Sequence, residues 1–286
     1  MNRVRELIFM TFMFGLTACN HLYYFPDQEE YRKPSQFPFA VKEVSIDRAG
    51  QTPIHAWLMN DSESSKGLIL HFHGNAQNLT AHSAFSDWLA AEGYTVLIFD
   101  YSGYGKTLGE PTQQTLIADS QAAFAFVEGQ ARFARKGLPW VVFAQSLGGA
   151  VAVTSLAENP EFAKKVDLLI VESSFDSYQG LARAKLSHQA LTWVFSPIAY
   201  WLVSDYRVPS EAIKSLTMPK IIVHGSADEV VYFENGKALY DAALPPKEFW
   251  EIPYGNHTEA FISGSPYRQD LLTKLKEISR KSPSPR

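Results

Sequence analysis

A single cysteine, Cys19, is all the thiol that 286 residues contain. That excludes an intrachain disulfide framework and a cysteine-built zinc site. Charge of one sign is also scarce in excess: 26 Lys and Arg stand against 30 Asp and Glu, for a net −4, so neither nucleic acid nor an anionic surface is expected to be held by bulk charge. Long hydrophobic runs are missing too. The first apolar run, Leu7 to Ala18, covers 12 residues, short of the about 20 that a helix needs to span a bilayer. There is no internal repeat, no low-complexity tract, and no nicotinamide, flavin or metal fingerprint, so no cofactor and no metal are expected. What is present, 46% hydrophobic and 20% charged residues, suits one α/β domain.

The start of the chain stands apart. Arg3 and Arg5 precede the apolar run, and Leu16-Thr17-Ala18-Cys19 closes it with small residues before the cysteine. This has the order of a cleaved signal, and L-T-A-C resembles the bacterial lipobox, in which the cysteine becomes the acylated first residue. The expectation is a signal peptide over 1–18, lipidation at Cys19, and anchoring in the bacterial cell envelope facing the periplasm. Asn20 in place of Asp favours the outer membrane. A plain secretory signal and an uncleaved anchor are the alternatives. Residues 19–38, rich in aromatics, proline and charge, read as a tether; 39–280 as the domain; and 281–286 as a flexible tail.

From Val41 onward the pattern is regular. Val41–Asp47 and Ile54–Met59 alternate around Ala49-Gly50-Gln51, an edge hairpin. Apolar strands are expected at 67–72, 94–99, 140–144, 166–171, 220–223 and 248–252, with helices at 79–91, 115–128, after Ser146 and from about Thr258, the last interrupted near Gly264 to Pro266. Strands apolar on both faces and alternating with helices predict an α/β fold: a mostly parallel sheet covered by helices on both faces. The 48 residues from Glu172 to Pro219 exceed a plain crossover and leave room for a helical cap at about 176–215. Its aromatics, Trp193, Phe195, Tyr200 and Trp201 among them, either line an acyl pocket or pack the cap onto the body.

Ligands in such sheets bind beyond the C-terminal strand ends, where Ser146, His73, Asp100, Glu172 and Asp228 all fall. Ala144-Gln145-Ser146-Leu147-Gly148 follows an apolar strand and opens a helix, which fits either a nucleophile elbow or a serine capping an ordinary helix. A serine hydroxyl needs a base, and the base needs a carboxylate. The chain offers Ser146, then Asp228 directly after a strand, then His257 after the last strand. Glu229 and Asp176 compete with Asp228. His71 and His73 form an H-x-H pair without a third ligand nearby, and His224 reads as a packed turn residue. An oxyanion needs two donors, for which the N–H groups of Leu147 and Asn75 are placed.

Taken together, HFHGNAQN, FDYSGYGKTLGEP, AQSLGG, HGSADEVV and GNH resemble the bud-emergence-protein-like branch of the α/β-hydrolase superfamily, akin to prolyl-oligopeptidase catalytic domains, over roughly 41–278. The resemblance implies an α/β-hydrolase fold, Ser146 as nucleophile, Asp228 and His257 as acid and base, and Asn75 and Leu147 as oxyanion donors. Ala144 and Gln77 depart from the branch's glycines. The expected function is a membrane-tethered serine hydrolase of a carboxylic ester or thioester, acting on a small-molecule acyl substrate. The alternatives are a peptidase or amidase and a non-catalytic binding lipoprotein.

Overall fold

The computed structural model describes residues 23–131, 133, 138–187 and 203–281. The expected signal peptide, Cys19, the tail from 282 and the cap residues 188–202, with Trp193, Phe195, Tyr200 and Trp201, lie outside the described residues.

Eight strands form one sheet: β2 (Val41–Arg48), β3 (Gln51–Met59), β4 (Leu68–Phe72), β6 (Thr95–Phe99), β7 (Trp140–Gln145), β8 (Leu168–Glu172), β9 (Lys220–Gly225) and β10 (Lys247–Ile252). β1 (Phe25–Pro26) and β5 (Ala76–Gln77) pair separately. The order across the sheet is β10-β9-β8-β7-β4-β6-β3-β2. The β2–β3 hairpin is antiparallel, as is its junction with β6, and all other pairs are parallel.

The two-residue period of each strand sorts its side chains into two cores. Leu68, Leu70 and Phe72 of β4, with Trp140, Val142 and Ala144 of β7, face one core, where α1 (Gln113–Gly129) and α2 (Leu147–Glu158) pack. Ile69, Val141 and Phe143 face the other, covered by Trp88, Leu89 and the Leu271, Leu272 and Leu275 stripe of the C-terminal helix. Both faces are covered, so the sheet runs apolar on both. Further helices are α3 (Tyr178–Ser187), within the stretch where the cap is expected, α4 (Phe233–Ala242) and α5 (Pro266–Lys281). Among the described residues no helix is long and apolar enough to cross a membrane.

Three segments differ from the sequence reading. The helix expected over 79–91 is two short helices, Leu79–His82 and Asp87–Ala91, separated by a 3-10 turn. There Ser83 donates its hydroxyl to the Thr80 carbonyl, and its own carbonyl accepts from the Ser86 N–H. The C-terminal helix begins at Pro266, not Thr258, because Thr258 takes a left-handed φ of 56°. And the tether read over 19–38 is packed against the domain from Tyr23 onward. Tyr24 is 5% exposed in the first core, Phe37 packs edge-on against Trp57, and β1 pairs in parallel with β5. Tyr24 and Phe37 are buried anchors, which composition alone does not distinguish from linker residues.

Candidate active site

Ser146 sits between β7 and α2 with φ 53° and ψ −122°. A capping serine has extended backbone and accepts a hydrogen bond on its side chain; Ser146 has neither. The strain of this turn is held by three bonds. Ser146 N donates to the Glu172 carbonyl at 2.9 Å, and the Ser146 carbonyl accepts from the Ser174 hydroxyl at 2.7 Å and from Gly149 N at 3.0 Å. A side chain at Gly148 would lie 2.2 Å from the Phe72 carbonyl oxygen, so only glycine fits where the turn presses on β4. Ala144, two residues before the serine, is fully buried between Phe72 and Val171, and its methyl is accommodated.

The turn after β4 comes close to the serine: a Cβ built on Gly74 would be 3.6 Å from that of Ser146. Asn75 follows, its side chain fully engaged. Nδ2 donates to the Tyr23 carbonyl, and Oδ1 accepts from Phe25 N and the Tyr104 hydroxyl. Its backbone N–H is left for a ligand role. Leu147 is the first residue of α2, so its N–H has no intrahelical acceptor and stands at the positive end of the helix. Gln77 has a φ of 65°, which explains why glycine suits this position.

The carboxylate of Asp228 is oriented on both oxygens. Oδ1 accepts from Val230 N and Val231 N, each at 2.9 Å, and Oδ2 lies 2.8 Å from His257 Nδ1. Burial works to raise its pKa, but the neighbouring imidazoles of His224 and His257 and the backbone N–H of Val231 outweigh it, so the group stays ionised well below the usual carboxylate range. Glu229 is exposed, and Asp176 instead accepts from Asn235 Nδ2. His224 is buried, donates from Nε2 to the Val231 carbonyl at 2.8 Å, and lies 3.4 Å from Asp228 Oδ2. It adds a second imidazole beside this carboxylate, a contact the sequence reading did not give it.

The His257 loop is fastened from beneath. Thr258 N donates to Ser173 Oγ at 3.0 Å and Ala260 N to Glu172 Oε1 at 2.9 Å. Glu172 continues a buried chain through Gln145 to His71 and Ser86. Burial lifts the Glu172 carboxyl to about 7 and lowers His71 to about 3. His73 instead lies against Gly74 O and stacks on His82 and Tyr101. The H-x-H pair is thus divided between two environments, and no cluster of three metal-ligating side chains occurs among the described residues.

Ser146, Leu147, Asn75 and His257 open into one cavity of about 640 Å³, within the range of small-ligand sites. Tyr23, Phe25, Phe85, Phe175, Leu181 and Val231 contribute to its mostly apolar wall. Cys19, the expected lipidation site, lies outside the described residues.

A strained serine at a strand-to-helix turn, on a mostly parallel sheet covered by helices, defines a serine hydrolase of the α/β-hydrolase class. The chain belongs to the family described as serine aminopeptidase, S33 (Hydrolase_4), which it matches over residues 63–212. It is 28% identical over 283 residues to the uncharacterized protein YfhR of Escherichia coli K12, covering 94% of each chain. It is also 28% identical over 234 residues to the lysophosphatidylserine lipase ABHD12 of Macaca fascicularis, covering 78% of this chain and 56% of that one. Among solved structures, the Pyrococcus furiosus esterase Pf2001 superimposes with a TM-score of 0.69 at 19% identity, over 91% of this chain and 98% of that one. Est1E of Butyrivibrio proteoclasticus, with ferulic acid bound, gives 0.60 at 18%, over 84% and 98%.

Proposed function

We propose that the protein hydrolyses carboxylic esters through an acyl-enzyme, with Ser146 as nucleophile, His257 as base and Asp228 as its orienting acid. The observation that carries this is that His257, bonded to Asp228 at 2.8 Å, opens into the same apolar cavity as Ser146 on its strained turn. As Ser146 Oγ attacks the acyl carbon, its proton passes to Nε2 of His257, and the carbonyl electron pair moves to oxygen. The N–H groups of Leu147 and Asn75 receive that oxyanion, each such donor being worth about 3 kcal/mol of barrier. Collapse expels the alcohol, which takes the proton from the imidazolium. Water then repeats the sequence and releases the acid.

Ester is preferred to peptide on a specific ground. An aminopeptidase must hold its substrate's terminal ammonium, and the described residues lining the cavity include neither Asp nor Glu. Apolar walls instead favour an acyl chain, each buried methylene contributing about 0.8 kcal/mol. The lipase named among the relatives supports the same chemistry.

We further infer that Cys19 carries the lipid that holds the enzyme in a bacterial envelope membrane, with the catalytic domain facing the periplasm. Support comes from the L-T-A-C sequence after a basic start and a short apolar run.

The test is hydrolysis of p-nitrophenyl acyl esters of increasing length, with fluorophosphonate labelling. Ser146→Ala should lower kcat by about 10³-fold or more and abolish labelling. A variant as active as the parent ends this reading, a parent that labels but spares the esters points to peptide hydrolysis, and a parent that neither labels nor turns over points to a non-catalytic role.

A further inference from the structure

We propose that the mouth of the cavity abuts the membrane that holds Cys19, and that the enzyme draws its acyl ester directly from that bilayer. The inference rests on the reading of the chain as a Cys19-acylated esterase, and adds where the substrate comes from.

It follows from the length of the free connection. A tether over 19–38 would reach about 65 Å when extended, more than the roughly 45 Å width of a domain this size, and any face could meet the membrane. The packed segment removes most of that freedom. Tyr23 lies against Tyr24 and Tyr178, its carbonyl accepts from Asn75, and Phe25 is in register with Ala76. Only Asn20, His21 and Leu22 stand between Cys19 and Tyr23, the first described residue. The covalent reach from Cys19 to Tyr23 is therefore at most about 14 Å. Tyr23 and Phe25 themselves line the cavity that holds Ser146. The anchor thus enters the domain at the rim of its own substrate cavity.

The rim suits that neighbour. Phe25 and Val230, both in the cavity wall, are 58% and 45% exposed and give the rim an apolar surface open to a bilayer. Lys185, also in the wall and exposed, offers a cation at the height of anionic headgroups. A chain passing from hydrocarbon into this wall never exposes its methylenes to water, which removes the main barrier to extracting a long acyl ester.

Two measurements on the full acylated chain test the idea. In the first, about 20 Gly and Ser residues are inserted between Asn20 and His21, giving a connection that wanders about 25 Å. Turnover of p-nitrophenyl butyrate in solution should be unchanged. Turnover of 4-methylumbelliferyl oleate dissolved in equimolar phosphatidylethanolamine and phosphatidylglycerol vesicles carrying the enzyme should fall by about three-fold or more, as expected when the mouth is free to turn away. Equal vesicle rates for both chains would overturn the proposal. In the second, a dye is placed on Val230→Cys or, at the opposite end of the parallel strands, on Ser64→Cys. Vesicle lipids bearing a quencher should quench the first and spare the second; equal quenching rejects the orientation whatever the enzyme's activity. A parent inactive on the soluble ester removes the esterase reading itself. An intact mass without acyl chains on Cys19 removes the anchor and this inference with it.

Discussion

The side-chain amide of Asn75 donates to the carbonyl oxygen of Tyr23 across 2.6 Å, while Oδ1 accepts from Phe25 N at 3.2 Å and the Tyr104 hydroxyl at 2.8 Å. A residue whose N–H is assigned to the oxyanion therefore uses its side chain to clamp the N-terminal segment onto the cavity wall. Asn75→Ala keeps the N–H and removes the clamp. Stability should drop by about 1–3 kcal/mol, and kcat by about 10- to 100-fold as the donor loosens, with KM for a short ester little changed. Steady-state kinetics and denaturant unfolding check both; an unaltered kcat would show that the clamp does not hold the donor in place.

The bond between Asp228 and His257 carries a second prediction. Asp228→Asn preserves shape but lets an amide face Nδ1, favouring the tautomer that cannot take the serine proton. The expected loss is about 10⁴-fold in kcat, with an equally slowed fluorophosphonate reaction. Val230 N and Val231 N still have an oxygen to donate to, so the fold should survive. Loss of labelling without loss of thermal stability is the checkable pair.

Much of this was legible in the chain. The apolar strands 68–72, 95–99 and 140–145 announce themselves because both faces are buried, and Ser146, Asp228 and His257 fall after strands in an order that invites the comparison. The N-terminal segment was not legible. Tyr23, Tyr24 and Phe37 anchor it without any period, and a two-residue strand leaves no pattern. Nor could the chain from Ser86 through His71 and Gln145 to Glu172 be read, since its bonded pairs lie up to 74 residues apart in sequence and only the sheet brings them together.

That buried chain sets a pH dependence of stability. Burial lifts the Glu172 carboxyl from 4.5 to about 7 in the fold. Between those values the native state keeps a proton that the unfolded chain has released, so the contribution is whole below about pH 4.5, declines as pH rises, and is gone above about 7. The full change is on the order of 3 kcal/mol. Glu172→Gln, neutral throughout, should flatten the decline between pH 5 and 8. Urea unfolding at both ends of that range measures it, and parallel curves for parent and variant would mean that the carboxyl ionises normally.

Arg48 and Asp119 supply the last prediction. Their 2.6 Å ion pair is almost fully buried, with side chains 5% and 1% exposed. Arg48 also donates to Ser102 Oγ and the Thr52 and Leu108 carbonyls, and Asp119 Oδ2 accepts from Ser102 N. Ser102 belongs to the turn whose Tyr101 hydroxyl donates to the His73 carbonyl and whose Tyr104 hydroxyl donates to Asn75, so the pair underlies the loop after β4, which carries Asn75, at two removes. Removing one partner leaves the other charge buried, at a cost of about 3–5 kcal/mol. Asp119→Ala should be destabilised by that amount and lose activity with it. Arg48→Met combined with Asp119→Leu leaves no orphaned charge and should recover much of the stability. Because Ser102 N then lacks its acceptor, activity should recover less. A double-mutant cycle read by both unfolding free energy and kcat separates the two effects: equal recovery of stability and kcat would mean that the turn holds the Asn75 loop without Asp119.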